Sequence, residues 1–182
     1  MRRIGALVLV TGLGLLAGAA EGKGKLEPVL VLEGFKKIEI LEDGKVFVAI
    51  HPGGRVDVLV GKGTRAQGRI HADGRFIGPR GRMSLRLLPD GQMELIRDKR
   101  SVPVWLRIEP SGRLTSLKQT WPPLSIGADG ALSGGNPKSA KQTARIKVRG
   151  ARSAESRRLA MFVLAALLTP VELSPPKAPA KK

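Results

Sequence analysis

Cysteine and tyrosine are both missing from this chain, histidine occurs only twice, and aromatic residues make up 3% of it. Without cysteine there is no disulfide, no thiolate metal ligand, no thiol nucleophile and no acceptor residue for a lipoprotein anchor. The aromatic shortage removes the stacking platforms used to hold single strands, so specific nucleic-acid binding is not expected, and sugar stacking is weakened in the same way. Acid is scarce too: 15 Asp and Glu stand against 32 Lys and Arg, a formal net charge of +17. So basic a chain is drawn to polyanions, although net charge speaks to association and solubility and not to one partner.

What is present begins with a leader. Arg2 and Arg3 supply a positive start, and residues 4–16 are apolar apart from Thr11 and glycines. The small residues Ala17, Gly18 and Ala19 follow, in the small-x-small pattern of a signal-peptidase site. The apolar stretch is shorter than the roughly 20 residues needed to cross a bilayer. A cleaved signal peptide over residues 1–20 is therefore expected, with the strongly apolar core favouring general secretion, and with it a periplasmic or extracellular protein. Residues 1–20 carry two arginines and no acid, so most of the positive charge stays in the mature chain.

The remainder suits one domain by length. Its Gly and Pro content is high, but an apolar fraction of 42% is that of a folded chain. One short pattern recurs at residues 40–46, 50–56, 70–76, 87–93, 108–114 and 126–132: apolar, any, Glu/Pro/Ala, Asp/Gly/Ser, Gly, any, apolar. Pro suits the first central position of a type I turn, Asp or Ser the second, and Gly the left-handed position after it. Such a turn closes a three-residue hairpin with a G1 bulge. The turn glycines are Gly44, Gly54, Gly74, Gly91, Gly112 and Gly130, and second breakers such as Gly61-Lys62-Gly63 and Trp121-Pro122-Pro123 divide the longer gaps.

A turn every eight to ten residues is the rhythm of a β meander. The intervening segments are rich in β-branched residues or alternate apolar residues with Arg, as in Ser84-Leu85-Arg86-Leu87 and Val104-Trp105-Leu106-Arg107-Ile108. The expected fold is mainly β: about 10–12 short strands forming a curled sheet, open barrel or sandwich, with one C-terminal α-helix. Residues 21–35 read as an N-terminal linker, 36–150 as the hairpin-repeat domain, 133–143 within it as a loop, and 144–148 as a last strand. Ser153 is a suitable helix N-cap and Glu155 sits in the favourable first turn, so residues 153–169 are expected as a helix that Pro170 stops. Its stretch 159–168 has no polar face and must be hidden, against the sheet or in a membrane or partner groove. Residues 170–182 read as a disordered Pro/Lys tail.

No catalytic constellation is legible, and no cofactor is implied. Gly61-Lys62-Gly63-Thr64 lacks the first glycine of a phosphate loop, and no helix is expected after it. His51 and His71 occupy the same place in two copies, but two ligands without a third make no metal site. Asp43, Asp73, Asp90 and Asp129 each precede a turn glycine, which turn geometry explains. Trp105, among apolar strand residues, is expected in the core, and Trp121 at a surface corner. Two basic clusters remain. One opens at Lys141 and continues through the six residues Arg145, Lys147, Arg149, Arg152, Arg157 and Arg158, with Glu155 the only acid among them; the other runs Arg65, Arg69, Arg75, Arg80, Arg82 and Arg86 with Asp73. The first supplies the candidate anion-binding residues, since guanidinium forks match phosphate and carboxylate.

The hairpin turns followed by an Ala/Leu-rich helix resemble uncharacterised exported bacterial proteins with short DG-type β-hairpin repeats, over about residues 38–169. The resemblance implies a fold and no activity. The expected role is that of an exported, non-enzymatic envelope or secreted module whose basic face meets anionic lipid, acidic polysaccharide or an envelope protein. The alternative is a barrel-like carrier of a lipid or other apolar ligand, which would need a large apolar cavity where the module has a filled core.

Overall fold

A computed structural model of the chain describes residues 28–60, 63–79, 84–97 and 100–168. The leader expected at 1–20, the first part of the linker and the tail at 170–182 lie outside them, as do Arg80 and Arg82. Twelve strands follow one another: Ile38–Glu42 (β1), Lys45–Ile50 (β2), Arg55–Val60 (β3), Thr64–Ile70 (β4), Arg75–Ile77 (β5), Ser84–Leu87 (β6), Gln92–Arg97 (β7), Arg100–Ile108 (β8), Leu114–Ser116 (β9), Ser125–Ile126 (β10), Leu132–Ser133 (β11) and Ile146–Arg149 (β12). From β1 to β9 each strand pairs antiparallel with the next, and β12 returns to the free edge of β1, giving ten strands in one sheet. The β10–β11 hairpin stands between the outer edges, touching them by single bridges, Leu114 to Leu124 and Ala131 to Lys147. The sheet is curled but not closed into a barrel.

Alternation dictates the inner face. Ile38, Ile50 and Val56 lie opposite one another across β1, β2 and β3, and Ile70, Phe76 and Leu85 do the same across β4, β5 and β6. All six are buried. Gly68 lies opposite Val56, and a Cβ there would come within 2.8 Å of the Ile77 carbonyl and 3.2 Å of the Phe76 ring, so its bareness makes room for that ring.

The helix expected from Ser153 onward is Ala154–Leu168 (α2). Ser153 caps it: its Oγ accepts the Ser156 N–H at 3.1 Å, and Ser156 Oγ accepts the Ser153 N–H at 2.9 Å. This is a capping box with serine in place of the usual glutamate. Every residue from Leu159 to Ala166 is at most 2% exposed. Successive helical residues turn by about 100°, so more than two turns of burial cover every direction, and the sheet wraps α2 instead of flanking it. Phe162 meets Phe76 edge to face, centroids 6.3 Å apart. Each large apolar side chain so hidden contributes on the order of 1.5–3 kcal/mol. Among the described residues no helix is long and apolar enough to cross a membrane.

Three expectations are corrected. The loop at 133–143 contains ordered structure, a 3-10 turn Pro137–Ser139 and a five-residue helix Ala140–Ala144 (α1), and the strand expected from 144 is β12, shifted to Ile146–Arg149. Asn136 starts this stretch by accepting the Lys138 N–H on its side chain, a local bond that breaker content does not reveal. The described part of the linker, residues 28–35, is packed: Leu30 is buried, the N–H groups of Val29 and Leu30 donate to the Ala72 carbonyl, and Gly53 N–H donates to the Leu32 carbonyl. Trp105 faces outward, 45% exposed with the Lys118 ammonium 4.9 Å from its ring, because Val104, Leu106 and Ile108 take the inward positions of β8. Trp121 is half-buried against the core.

Candidate anion-binding rim

The repeated turns build one rim of the molecule. Glycines about two strands apart in the sequence return to the same end of an antiparallel meander, and those one strand apart do not. Gly54, Gly74, Gly91, Gly112 and Gly130 accordingly share one rim, and Gly44 lies at the other. At the five, the glycine N–H donates to the carbonyl three residues back, whose own N–H donates to the carbonyl just after the glycine, at 2.8–3.1 Å. Their φ values, +84°, +88°, +87°, +85° and +80°, are left-handed, as the G1 bulge requires. One of them departs from the expected type I turn, because Gly53 at φ 75°, ψ 6° makes residues 51–54 a type II turn. The Gly44 copy is a two-residue turn with Asp43 (φ 48°) and Gly44 (φ 78°) both left-handed, a type I′ hairpin.

The shared rim is locked by close approach. A Cβ on Gly54, Gly74, Gly91 or Gly130 would overlap the carbonyl oxygen of Ile70, Leu87, Ile108 or Val148 respectively, while Gly44 has nothing within 4 Å. Leu87, Ile108 and Val148 each donate their N–H to the carbonyl of the glycine they touch, at 2.7–2.9 Å. Gly112 faces the start of α2 instead, where a Cβ would stand 2.8 Å from Arg157 Cβ. The helix N-terminus therefore opens at this rim, and residues 28–35 lie across it.

The six candidate anion-binding residues divide in space. Arg149, Arg152 and Arg157 line one open cleft of about 560 Å³ together with the turn 127–130, and Asp129 is the carboxylate there. Asp129 is itself engaged, accepting the Ala131 N–H at 3.1 Å. A second cleft of about 410 Å³ adjoins it across Gly150 and Arg152, lined also by Lys36, Lys37 and Ser153. The positive end of α2 lies between them, moderated by Glu155, whose own backbone N–H and the Ser153 hydroxyl hold its carboxyl below the usual range. Lys147 is exposed midway along β12.

Two of the six are not free for a ligand. Arg145 stands at the opposite rim in a bidentate pair with Asp43, whose carboxyl it holds below the ordinary value. Arg158 is half-buried beneath the 28–35 segment, donating from Nη1 to the Val29 carbonyl at 3.2 Å, with its Nε buried and without a partner. Burial pushes its pKa down. Sequence adjacency grouped these residues. The turn at Gly150 (φ 83°), which sends the chain from β12 into the helix, decides which of them meet.

Several other polar groups among the described residues are engaged locally. His51 Nε2 lies 2.9 Å from Asp57 Oδ2 in a shallow pocket on the outer face of β1–β4, lined also by Lys37, Glu39, Phe47 and Arg65, with no hydroxyl or thiol among its lining residues. Asp73 and Asp90 accept the backbone N–H two residues on, as turn residues do. Among the described residues no group of three or more His, Asp or Glu could hold a metal ion. Lys36 and Lys37 were missed at the rim because they stand at the start of the hairpin-repeat domain, far in sequence from both basic runs; the signal for them is a pair of cations immediately before the first strand. No family model, curated protein or solved structure matches this chain.

Proposed function

We propose that the protein is an exported, non-enzymatic β-repeat module that holds anionic partners through the basic rim at the start of α2. The observation that carries the reading is the meeting of Arg149, Arg152 and Arg157 in one cleft with a single, already engaged carboxylate. Three guanidinium forks on a helix-terminal rim suit phosphate, sulfate or carboxylate groups by charge-assisted and bidentate hydrogen bonds. Export rests on Arg2, Arg3, the apolar stretch 4–16 and the small residues before residue 20. The interior filled by α2 favours a module over a carrier of an apolar ligand.

Co-sedimentation of residues 21–182 with anionic and neutral liposomes, across a salt series, tests it. Binding to anionic liposomes alone, fading as salt rises and lost in an Arg149→Gln/Arg152→Gln/Arg157→Gln variant, is the expected result. Binding that survives the triple substitution would refute the rim as the site.

A further inference from the structure

A second basic surface lies on the outer face of β3–β6, beside the Gly54 and Gly74 turns of the rim, and none of its arginines lines either rim cleft. Arg55 stands directly opposite Arg69, and Arg75 directly opposite Arg86. Their neighbours along the strands, Val56, Ile70, Phe76, Leu85 and Leu87, point inward, so all four arginines share the outer face. Side chains so opposed have Cβ atoms about 4.5–5.5 Å apart, and like charges there weaken the strand pairing. Two such pairs on adjacent strands are held against stability.

The charges are only partly offset. Arg55 Nε is 3.6 Å from Asp57 and Arg75 Nε 2.8 Å from Asp73, while Glu94 lies opposite Arg86 in β7 without an ion pair to it. Arg69 and the neighbouring Arg65 make no ion pair among the described residues, and the Nε of Arg86 is buried with no hydrogen-bond partner. At about 4.8 Å per strand the row spans about 15 Å. It runs across the strands, along the direction in which the sheet curls around α2. A flat membrane touches such a convex row over only part of its length, whereas a flexible chain follows it. The outward positions of β3–β5 and Arg86 include no aromatic residue on which bases could stack.

From these observations we infer that the outer face of β3–β6 is a docking track for a linear acidic polysaccharide, its carboxylate or sulfate groups taken by Arg55, Arg69, Arg75 and Arg86. This goes beyond the rim site and does not depend on it. The test compares the full mature chain with Arg69→Thr/Arg86→Thr and with the rim triple variant, using heparin, polygalacturonate and anionic vesicles as probes. The sheet-face variant should lose about tenfold or more in affinity for at least one polysaccharide, with a shallower salt dependence and a melting temperature no lower than that of the parent. Its vesicle binding should be unchanged. Parent-like polysaccharide binding by that variant, or no polysaccharide binding by the parent at low salt, would overturn the inference while leaving the rim reading to its own triple variant. Loss of vesicle binding in its place would assign the track to a membrane and overturn it too.

Discussion

Replacing Gly91 by alanine separates the two reasons a turn glycine can be required. An L-residue forced into the left-handed region costs roughly 1–2 kcal/mol, and Gly91 sits there at φ 87°. Gly44, at φ 78°, carries the same backbone demand with nothing within 4 Å of a new Cβ. At Gly91 the Cβ also overlaps the Ile108 carbonyl, a backbone group that no rotamer change can move aside. Relief requires the turn to draw back from β8, weakening the 2.8 Å bond from Ile108 N–H to the Gly91 carbonyl, worth about 0.5–1.5 kcal/mol, and forcing a packing shift of about 1–3 kcal/mol. Gly91→Ala should therefore cost about 2.5–6.5 kcal/mol and Gly44→Ala about 1–2 kcal/mol, read as midpoint shifts in urea unfolding followed by circular dichroism. Equal costs at the two sites would refute the idea that the glycine rim is locked by close approach, leaving backbone conformation as the only demand.

Two further outcomes follow from the caps and charges. Ser153→Ala removes one arm of the serine capping box and should cost about 1 kcal/mol in the same unfolding assay, against under about 0.5 kcal/mol for the exposed Arg152→Ala. Asp43→Asn keeps the left-handed turn, which asparagine tolerates, but loses the Arg145 pair. Because the folded Asp43 carboxyl lies below its ordinary value of 3.8, its contribution is present above that pH and is lost as pH falls through the depressed value. The stability gap between parent and variant, small for so exposed a pair, should thus be widest near neutrality and close below pH 3.8; a gap that is constant with pH would remove the ion pair from the account.

Much of the fold is legible because turn chemistry and strand parity act locally. The glycine spacing contains the rim assignment: 44 and 54 are one strand apart, and the later intervals hold two. Parity alone places Trp105 outside with Pro103 and Arg107, and the expectation of a core tryptophan failed by weighing hydrophobicity above alternation. The candidate site was legible only as composition. Seven residues of sequence put Arg152 and Arg158 in one basic run, yet one lines an open cleft and the other is folded beneath residues 28–35. Arg55 was not counted with Arg69 at all, since strand register, not sequence distance, sets them opposite each other.

The sequence by itself determined the strands, the reversals between them and the apolar helix, because dihedral preference, side-chain period and capping are settled within a few residues. Tertiary structure decided where that helix goes. A segment apolar on every face must be enclosed, and a ten-stranded sheet encloses it by curling, with the β10–β11 hairpin between its outer edges. The same curl brings β12, the Gly130 turn and the start of α2 together, so the basic cleft exists only once the sheet has wrapped its core.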